Sequence, residues 1–197
     1  MNKIDFINKE YEARVMVSEK EYLDLLRHYS KCRCPKRKTI NTNTYFDYEN
    51  LFLTKNHMVL RTRSISENEY ELTLKIKGED SDLELNHILS KEEYQMMREK
   101  ILIPQSNVLD KLKELKIDLS KLVLLTDLTT ERMEIKYKKY TLVIDKNYFR
   151  NRVDYNVEVE SFTRKAAKIY LLKHILPFGI TYKKGYVSKS RRAIYNL

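Results

Sequence analysis

Glu10-Tyr11-Glu12-Ala13-Arg14 sets two carboxylates and a guanidinium two residues apart, and Val157-Glu158-Val159-Glu160 repeats the arrangement with two more carboxylates. Residues two apart on a β-strand share a face. Glu10, Glu12 and Arg14 therefore project together, and so do Glu158 and Glu160. The same spacing recurs at Arg61/Arg63, Glu71/Thr73/Lys75/Lys77, Glu84/Asn86 and Arg132/Glu134/Lys136, mostly with Leu, Ile, Val, Met or Tyr on the opposite side. The solvated side of an open antiparallel sheet also alternates in this way. Recurrence on nearly every strand points instead to a sheet with its apolar face under helices and its charged face turned in on itself. Eight strands closed into a barrel leave room for side chains and one small ligand. Carboxylates converging there cannot all ionise unpaired, so cations must sit among them, and an all-oxygen donor set suits Mg²⁺ or Mn²⁺. Arg14, Arg61, Arg63, Lys75, Lys77, Arg132 and Lys189 form the complementary set. Guanidinium forks and ammonium point charges on the same strands as the carboxylates would surround a polyphosphate.

The elements that must position these residues can be read along the chain. Asn8 to Val17 reads as a strand. Ser18-Glu19-Lys20-Glu21 is a capping box, and the helix it opens carries Tyr22, Leu25, Leu26 and Tyr29 on one face. Lys31 to Lys38 is a cationic loop, Ile40 to Asp47 a strand, and Asn50 to Asn56 has turn character. Met58 to Ile65 and Tyr70 to Lys77 form a hairpin, with a further strand over Asp82 to Leu89. Ser90-Lys91-Glu92-Glu93 caps a second helix, ended by Pro104, and Val108 to Leu115 is a third. Leu122 to Tyr137 and Tyr140 to Tyr148 make a long hairpin, followed by a strand over Asp154 to Phe162. Thr163 caps a helix running to about Leu176, and the basic tail finishes as a short helix. The fold class is α+β: an eight-stranded antiparallel barrel, or tunnel, with helices packed outside.

At 197 residues the chain suits one domain, 1–197, with a sizeable core. No apolar run reaches the ~20 residues needed to span a bilayer, and the first residues do not form a signal peptide. A cytoplasmic protein without a membrane partner is expected. The net charge of +10 attracts polyanions, but carboxylates interleaved with the bases make nucleic acid an unlikely partner, because they repel its backbone. Cys32 and Cys34 are expected as free thiols, since one close pair makes a poor zinc site. His28, His57, His87 and His174 are scattered and read as structural or surface residues. There is no Gly-x-Ser-x-Gly, phosphate-binding Gly loop or His-Glu-x-x-His.

In order and rough spacing these motifs resemble the CYTH superfamily, the triphosphate tunnel metalloenzymes, over nearly the whole chain, and a subgroup from Gram-positive bacteria in particular. The family's Glu-x-Glu-x-Lys/Arg motif stands at Glu10 to Arg14, and its Tyr-Phe-Asp strand at Tyr45-Phe46-Asp47. Its Leu-Arg-x-Arg strand is Leu60 to Arg63, and its Glu-Leu-Thr-Leu-Lys strand is Glu71 to Lys75. Glu84, Arg132, Asp145 (closing Leu142-Val143-Ile144-Asp145), the Glu158/Glu160 strand and Ser188-Lys189 match the later positions. Asp82 shares a face with Glu84 and competes for the acidic position, and Arg191 and Arg192 follow Lys189 as further candidates.

The resemblance implies Glu10, Glu12, Glu84, Asp145, Glu158 and Glu160 as metal ligands, with Mg²⁺ or Mn²⁺ as cofactor. It implies Arg14, Arg61, Arg63, Lys75, Arg132 and Lys189 as substrate-binding residues, of which Lys75 and Arg132 act with Glu10 and Glu12 in catalysis. The expected activity is metal-dependent hydrolysis of a small triphosphate, with inorganic tripolyphosphate preferred over thiamine or nucleoside triphosphates. The alternatives are a class IV-type adenylate cyclase and a non-catalytic sensor of polyphosphate or nucleotide.

Overall fold

The computed structural model describes residues 5–79, 81–183 and 187–196. In chain order the elements are β1 (Asp5–Val17), α1 (Glu19–Ser30), β2 (Lys36–Asp47), α2 (Phe52–Lys55), β3 (Met58–Ser66), β4 (Glu69–Ile76), β5 (Asp82–Leu89), α3 (Lys91–Lys100), α4 (Asn107–Glu114), β6 (Val123–Tyr137), β7 (Tyr140–Tyr148), β8 (Val153–Ser161), α5 (Arg164–Ile175) and α6 (Lys189–Ile194). The eight strands form a closed barrel in the order β1-β5-β4-β3-β2-β6-β7-β8, and β1 with β8, β2 with β3, β3 with β4, β4 with β5, β6 with β7 and β7 with β8 pair antiparallel. Closure removes the unpaired strand edges that an open sheet would expose.

Two compact units make up the chain. The first comprises Met1–Lys9, Asn41–Leu128 and Lys189–Leu197, and the second comprises Glu10–Ile40 and Thr129–Ser188. Each has its own core. In the second unit Ala13, Val15 and Val17 of β1, Met133 and Ile135 of β6, Leu142 and Ile144 of β7 and Val157 and Val159 of β8 pack against Tyr22, Leu25 and Tyr29 of α1 and Ala167, Leu171 and Ile175 of α5. In the first, Leu60, Leu72, Leu74, Leu85 and Leu89 of β3–β5 pack with Leu53 of α2, Met97 of α3, and Val108 and Leu112 of α4. The apolar positions of each strand thus serve the helices, which commits the alternate positions to the opposite face.

The caps form where the sequence places them. Ser18 and Ser90 each accept a hydrogen bond from the N3 amide, and the Glu21 and Glu93 carboxylates accept in turn from the cap residue's backbone N–H. Thr163 caps α5 by accepting from the Ala166 N–H. Strands β1 and β2 are longer than the alternation suggests, starting at Asp5 and Lys36. Lys36 Nζ donates to the carbonyls of Ser30 and Cys32, 2.5 and 2.9 Å away, and so holds the end of α1. The stretch expected only to turn contains the one-turn helix α2. The Asp47 carboxylate accepts from the backbone N–H groups of Tyr48, Leu53 and Thr54 at 2.7–2.9 Å. The aspartate of the Tyr-Phe-Asp motif is therefore a buried cap for α2.

One expectation fails. Cys32 and Cys34 are joined in a disulfide and not free. Their Cα atoms are 5.4 Å apart, within bridging range, because the chain turns between α1 and β2.

Candidate active site

The charged faces gather into two polar clusters, one in each unit. In the second unit strand register sets the geometry. Glu12 lies opposite Glu160 and Arg14 opposite Glu158 across β1 and β8. Arg132 lies opposite Asp145 across β6 and β7, and Asp145 opposite Asn156 across β7 and β8. Arg14 donates through Nε to Glu158 and through an Nη to both oxygens of Glu12, at 3.1 and 3.2 Å. Arg132 grips Asp145 with two parallel bonds of 2.9 and 3.0 Å and reaches Glu158 at 3.4 Å. It also approaches Glu134 at 3.7 Å and Glu160 at 4.0 Å. Bidentate pairing of this kind is strong and directional.

Beneath the arginines lies a row of amides. Asn156 is fully buried. Its Nδ2 donates to Glu158 Oε1 at 3.1 Å and to Asp145 Oδ2 at 3.3 Å. Its Oδ1 accepts from Asn147 Nδ2 at 2.7 Å, and Asn147 Oδ1 accepts from Thr130 at 2.9 Å. Every one of these polar groups is placed by its neighbours, which a buried network requires.

Charge does not balance on this face. Glu12, Glu134, Asp145, Glu158 and Glu160 approach the guanidinium groups of Arg14 or Arg132, and Glu10 lies close enough to act on Glu160. Burial pushes the Glu160 carboxyl up, and although Arg132 opposes this, the charges of Glu10, Glu158 and Glu12 help raise its pKa to about 7. Burial acts against the charge of Arg14 and Arg132. The carboxylates, chiefly Glu12 and Glu158 for Arg14 and Asp145 and Glu158 for Arg132, outweigh it and hold both above the usual guanidinium range.

The cluster in the first unit is sparser. Lys75 Nζ lies 3.4 Å from both Asp82 and Glu84, and Lys75 and Glu84 are partners in the β4–β5 register. Both acidic candidates therefore share the lysine. Arg63 Nε donates to Asn43 Oδ1 at 2.9 Å, and Thr73 donates to Glu71 at 3.0 Å. Arg61 is two residues from Arg63 on β3, opposite Thr73. Lys77 falls beyond the end of β4 and is exposed. Lys189 opens α6, on which Arg192 is buried and Arg191 exposed.

The second unit thus brings together Glu12, Arg14, Arg132, Asp145, Glu158 and Glu160, with Glu10 near enough to act on Glu160. The first unit brings Glu84 to Lys75. Asn147 and Asn156 were missed by motif reading, although both sit two residues from a recognised carboxylate on the same strand face. Among the described residues no three His, Cys, Asp or Glu side chains converge as a ready-made metal cage. In the second unit arginines lie between the carboxylates. The donors there are nevertheless all oxygen and exceed the cations facing them, which is the chemistry that Mg²⁺ or Mn²⁺ accepts.

A closed antiparallel barrel, helix-covered and bearing acidic and basic side chains on alternate strand positions, defines the class of the molecule. The chain belongs to the CYTH domain family, whose model matches residues 8–178. It is 29% identical over 152 residues to a Bacillus subtilis (strain 168) protein named as a candidate triphosphatase, YjbK, with 77% of each chain covered. Among solved structures, a candidate adenylate cyclase from Bacillus halodurans aligns with a TM-score of 0.84 at 26% identity, covering 94% of this chain and 97% of that one. A Hippeastrum protein described as a candidate adenylyl cyclase with a dominant triphosphatase activity aligns with a TM-score of 0.81 at 18% identity, covering 95% and 96%. The second likeness shows the fold.

Proposed function

We propose that this protein hydrolyses a small triphosphate with a divalent cation, Mg²⁺ or Mn²⁺, and prefers inorganic tripolyphosphate. The observation that carries the reading is the charged lattice of the second unit, where Glu10, Glu12, Asp145, Glu158 and Glu160 outnumber the two arginines among them, with Asp145 and Glu158 buried. A site for an anion alone would be better without those carboxylates. Membership of the CYTH family and similarity to YjbK, named as a candidate triphosphatase, support the same reading.

In this reading Glu10, Glu12, Asp145, Glu158 and Glu160 of the second unit hold the metal, and Glu84 is the first unit's own acidic candidate. When bound, the metal supplies charge neutralisation at phosphate oxygens and a more acidic water. Arg14, Arg132, Arg61, Arg63, Lys75 and Lys189 bind phosphate. Guanidinium forks held by carboxylates before substrate arrives are pre-aimed donors, and such donors stabilise the charge that develops on the transferred and leaving groups. No protein nucleophile is needed. Orthophosphate release from tripolyphosphate, thiamine triphosphate and ATP, with Mg²⁺ or Mn²⁺, tests the reading. Tripolyphosphate is expected to be used at least as well as ATP, and excess EDTA to stop turnover. Equal rates in EDTA would sink the metal requirement.

The Bacillus halodurans likeness favours one second reading, cyclisation of ATP. A cyclase must hold the ribose hydroxyl in line with the innermost phosphorus and exclude water, whereas the residues recognised here serve phosphate and metal. ADP with orthophosphate is the expected product pair. Cyclic AMP with pyrophosphate on a chromatogram would promote the cyclase.

A further inference from the structure

Helix α5 presents two unlike sides. Ala167, Leu171 and Ile175 are fully buried against the sheet of the second unit. On the outward side Phe162, Ile169 and Leu176 are 60%, 55% and 61% exposed. Ile169 and the C-cap residue Leu176 are seven residues apart, a spacing that drifts by only about 20° on an α-helix, so they line up along α5; Phe162 stands just before the cap residue Thr163, outside the helix, and flanks its N-terminal end. An apolar side chain at that position ordinarily packs back onto the first turns of the helix; here most of the ring meets solvent.

The row is flanked by cations. Arg164, Lys165, Lys168 and Lys173 are all exposed, and residues 161–188 contain no Asp or Glu. Lys168 holds its ammonium 5.0 Å over the ring of Tyr182, a second aromatic beside Phe162. In a chain with 28 acidic residues, an acid-free stretch of this length that also exposes three large apolar side chains has a definite polarity: positive and greasy together.

We propose that this row is a docking surface for an anionic lipid bilayer. The charge pattern selects the occupant. A second copy of the chain would set one acid-free, lysine-lined face against another. Nucleic acid would use the lysines but gain nothing from Phe162, Ile169 and Leu176. A bilayer with anionic headgroups uses both: lysines and arginines stay at the phosphate level while the apolar row enters the boundary with the acyl chains. Surface docking differs from crossing, and no helix among the described residues is long and apolar enough to cross. The inference does not depend on the proposed activity.

The test is co-sedimentation of the full chain with phosphatidylserine–phosphatidylcholine vesicles and with phosphatidylcholine vesicles alone, beside the variants F162S/I169S/L176S and K165E/K168E. Wild type should pellet with the anionic vesicles and stay in solution with the neutral ones. Each variant should lose about tenfold or more in partitioning, while its melting curve and its orthophosphate release in solution stay those of wild type. The proposal is overturned if wild type ignores anionic vesicles. It is equally overturned if the serine variant pellets like wild type, which would assign binding to bulk charge. A monomer–dimer shift abolished by the serine variant would give the row to a second copy, and duplex RNA binding lost in the K165E/K168E variant alone would give the face to nucleic acid.

Discussion

The charged faces of the two units use the same alternation but are built differently. In the second unit two arginines each bind two or more carboxylates, and the fully buried Asn156 donates to Asp145 and Glu158. In the first unit one lysine stands between Asp82 and Glu84 at 3.4 Å, and Arg63 rests on an asparagine. The second unit has acid in excess and donors held in place by bidentate pairing. The first sets an ammonium between two carboxylates and a guanidinium on an amide. Preorganised charge suits the site of chemistry, where reorganisation during the reaction is costly. Several cations on neighbouring strands suit grip on a polyanion. Under the proposed function, the second unit is expected to govern turnover and the first substrate affinity.

The sharpest break of that assignment is to remove a carboxylate from each. Glu12→Ala and Glu160→Ala should each lower kcat by roughly 100-fold or more at saturating metal. Removing one of several crowded carboxylates also relieves repulsion, so the melting temperature without metal should hold or rise. Glu84→Ala should cost much less in kcat, because Asp82 keeps the Lys75 contact. Near-wild-type kcat for Glu160→Ala together with collapse for Glu84→Ala would reverse the assignment.

A smaller loss is expected one layer down. Asn156→Ala takes one donor from Asp145 and one from Glu158 without touching charge. Groups that orient ligands from behind typically cost about 10–100-fold when removed, and isothermal titration with Mn²⁺ should show the affinity falling with the rate. Asn156→Asp should do worse than alanine, since it adds another carboxylate to an acid-rich face. Unchanged Mn²⁺ affinity in both variants would reduce Asn156 to a packing role.

Much of this was legible in the sequence, for a physical reason. The barrel could be read because a strand alternates with a period of two, and both of its faces here carry a strong signal: Leu72 and Leu74 against Thr73 and Lys75. The caps at Ser18, Ser90 and Thr163 could be read because capping is local. What was not legible depended on contacts between distant segments. Asp47 belongs to a recognisable motif, but its service to the amides of Leu53 and Thr54 appears only once α2 folds back. Asn147 and Asn156 are ordinary strand asparagines until register sets them side by side. The Cys32–Cys34 bond was misread because spacing alone argued against a metal site and said nothing of a bridge. The arginine–carboxylate pairs followed from type and register, but which carboxylate each arginine would choose did not.

On the first unit the test is a pair of lysines. Lys75→Ala should raise KM for tripolyphosphate roughly tenfold, about the cost of losing one charge-assisted contact, with a smaller change in kcat. Lys77→Ala should change KM little, because Lys77 lies past the end of β4 and is exposed. Equal KM effects would mean that net charge in this unit matters and position does not. A kcat effect larger than the KM effect for Lys75→Ala would move this lysine from grip to chemistry.

The smallest effect concerns stability and distinguishes the two units under acid. On the helix side of the second unit His174 is buried, with Nδ1 2.6 Å from the Tyr29 hydroxyl and Nε2 2.8 Å from that of Tyr140. A neutral ring satisfies both tyrosines by accepting from one and donating to the other. Burial, helped by Lys173 and His28, lowers its pKa from 6.5 to about 4. The folded state therefore binds this proton less readily than the unfolded chain. The contribution is fully present above pH 6.5, declines as pH falls below that value and is lost by about pH 4. Melting temperature should fall by a few degrees over that window, and early amide exchange should appear in α5 and β7, ahead of β3–β5. His174→Phe removes the titrating ring and leaves Tyr29 and Tyr140 without partners. It should melt lower than wild type near neutrality yet lose less on acidification. A slope against pH identical to wild type between pH 6.5 and 4 would show that the acid sensitivity does not come from His174.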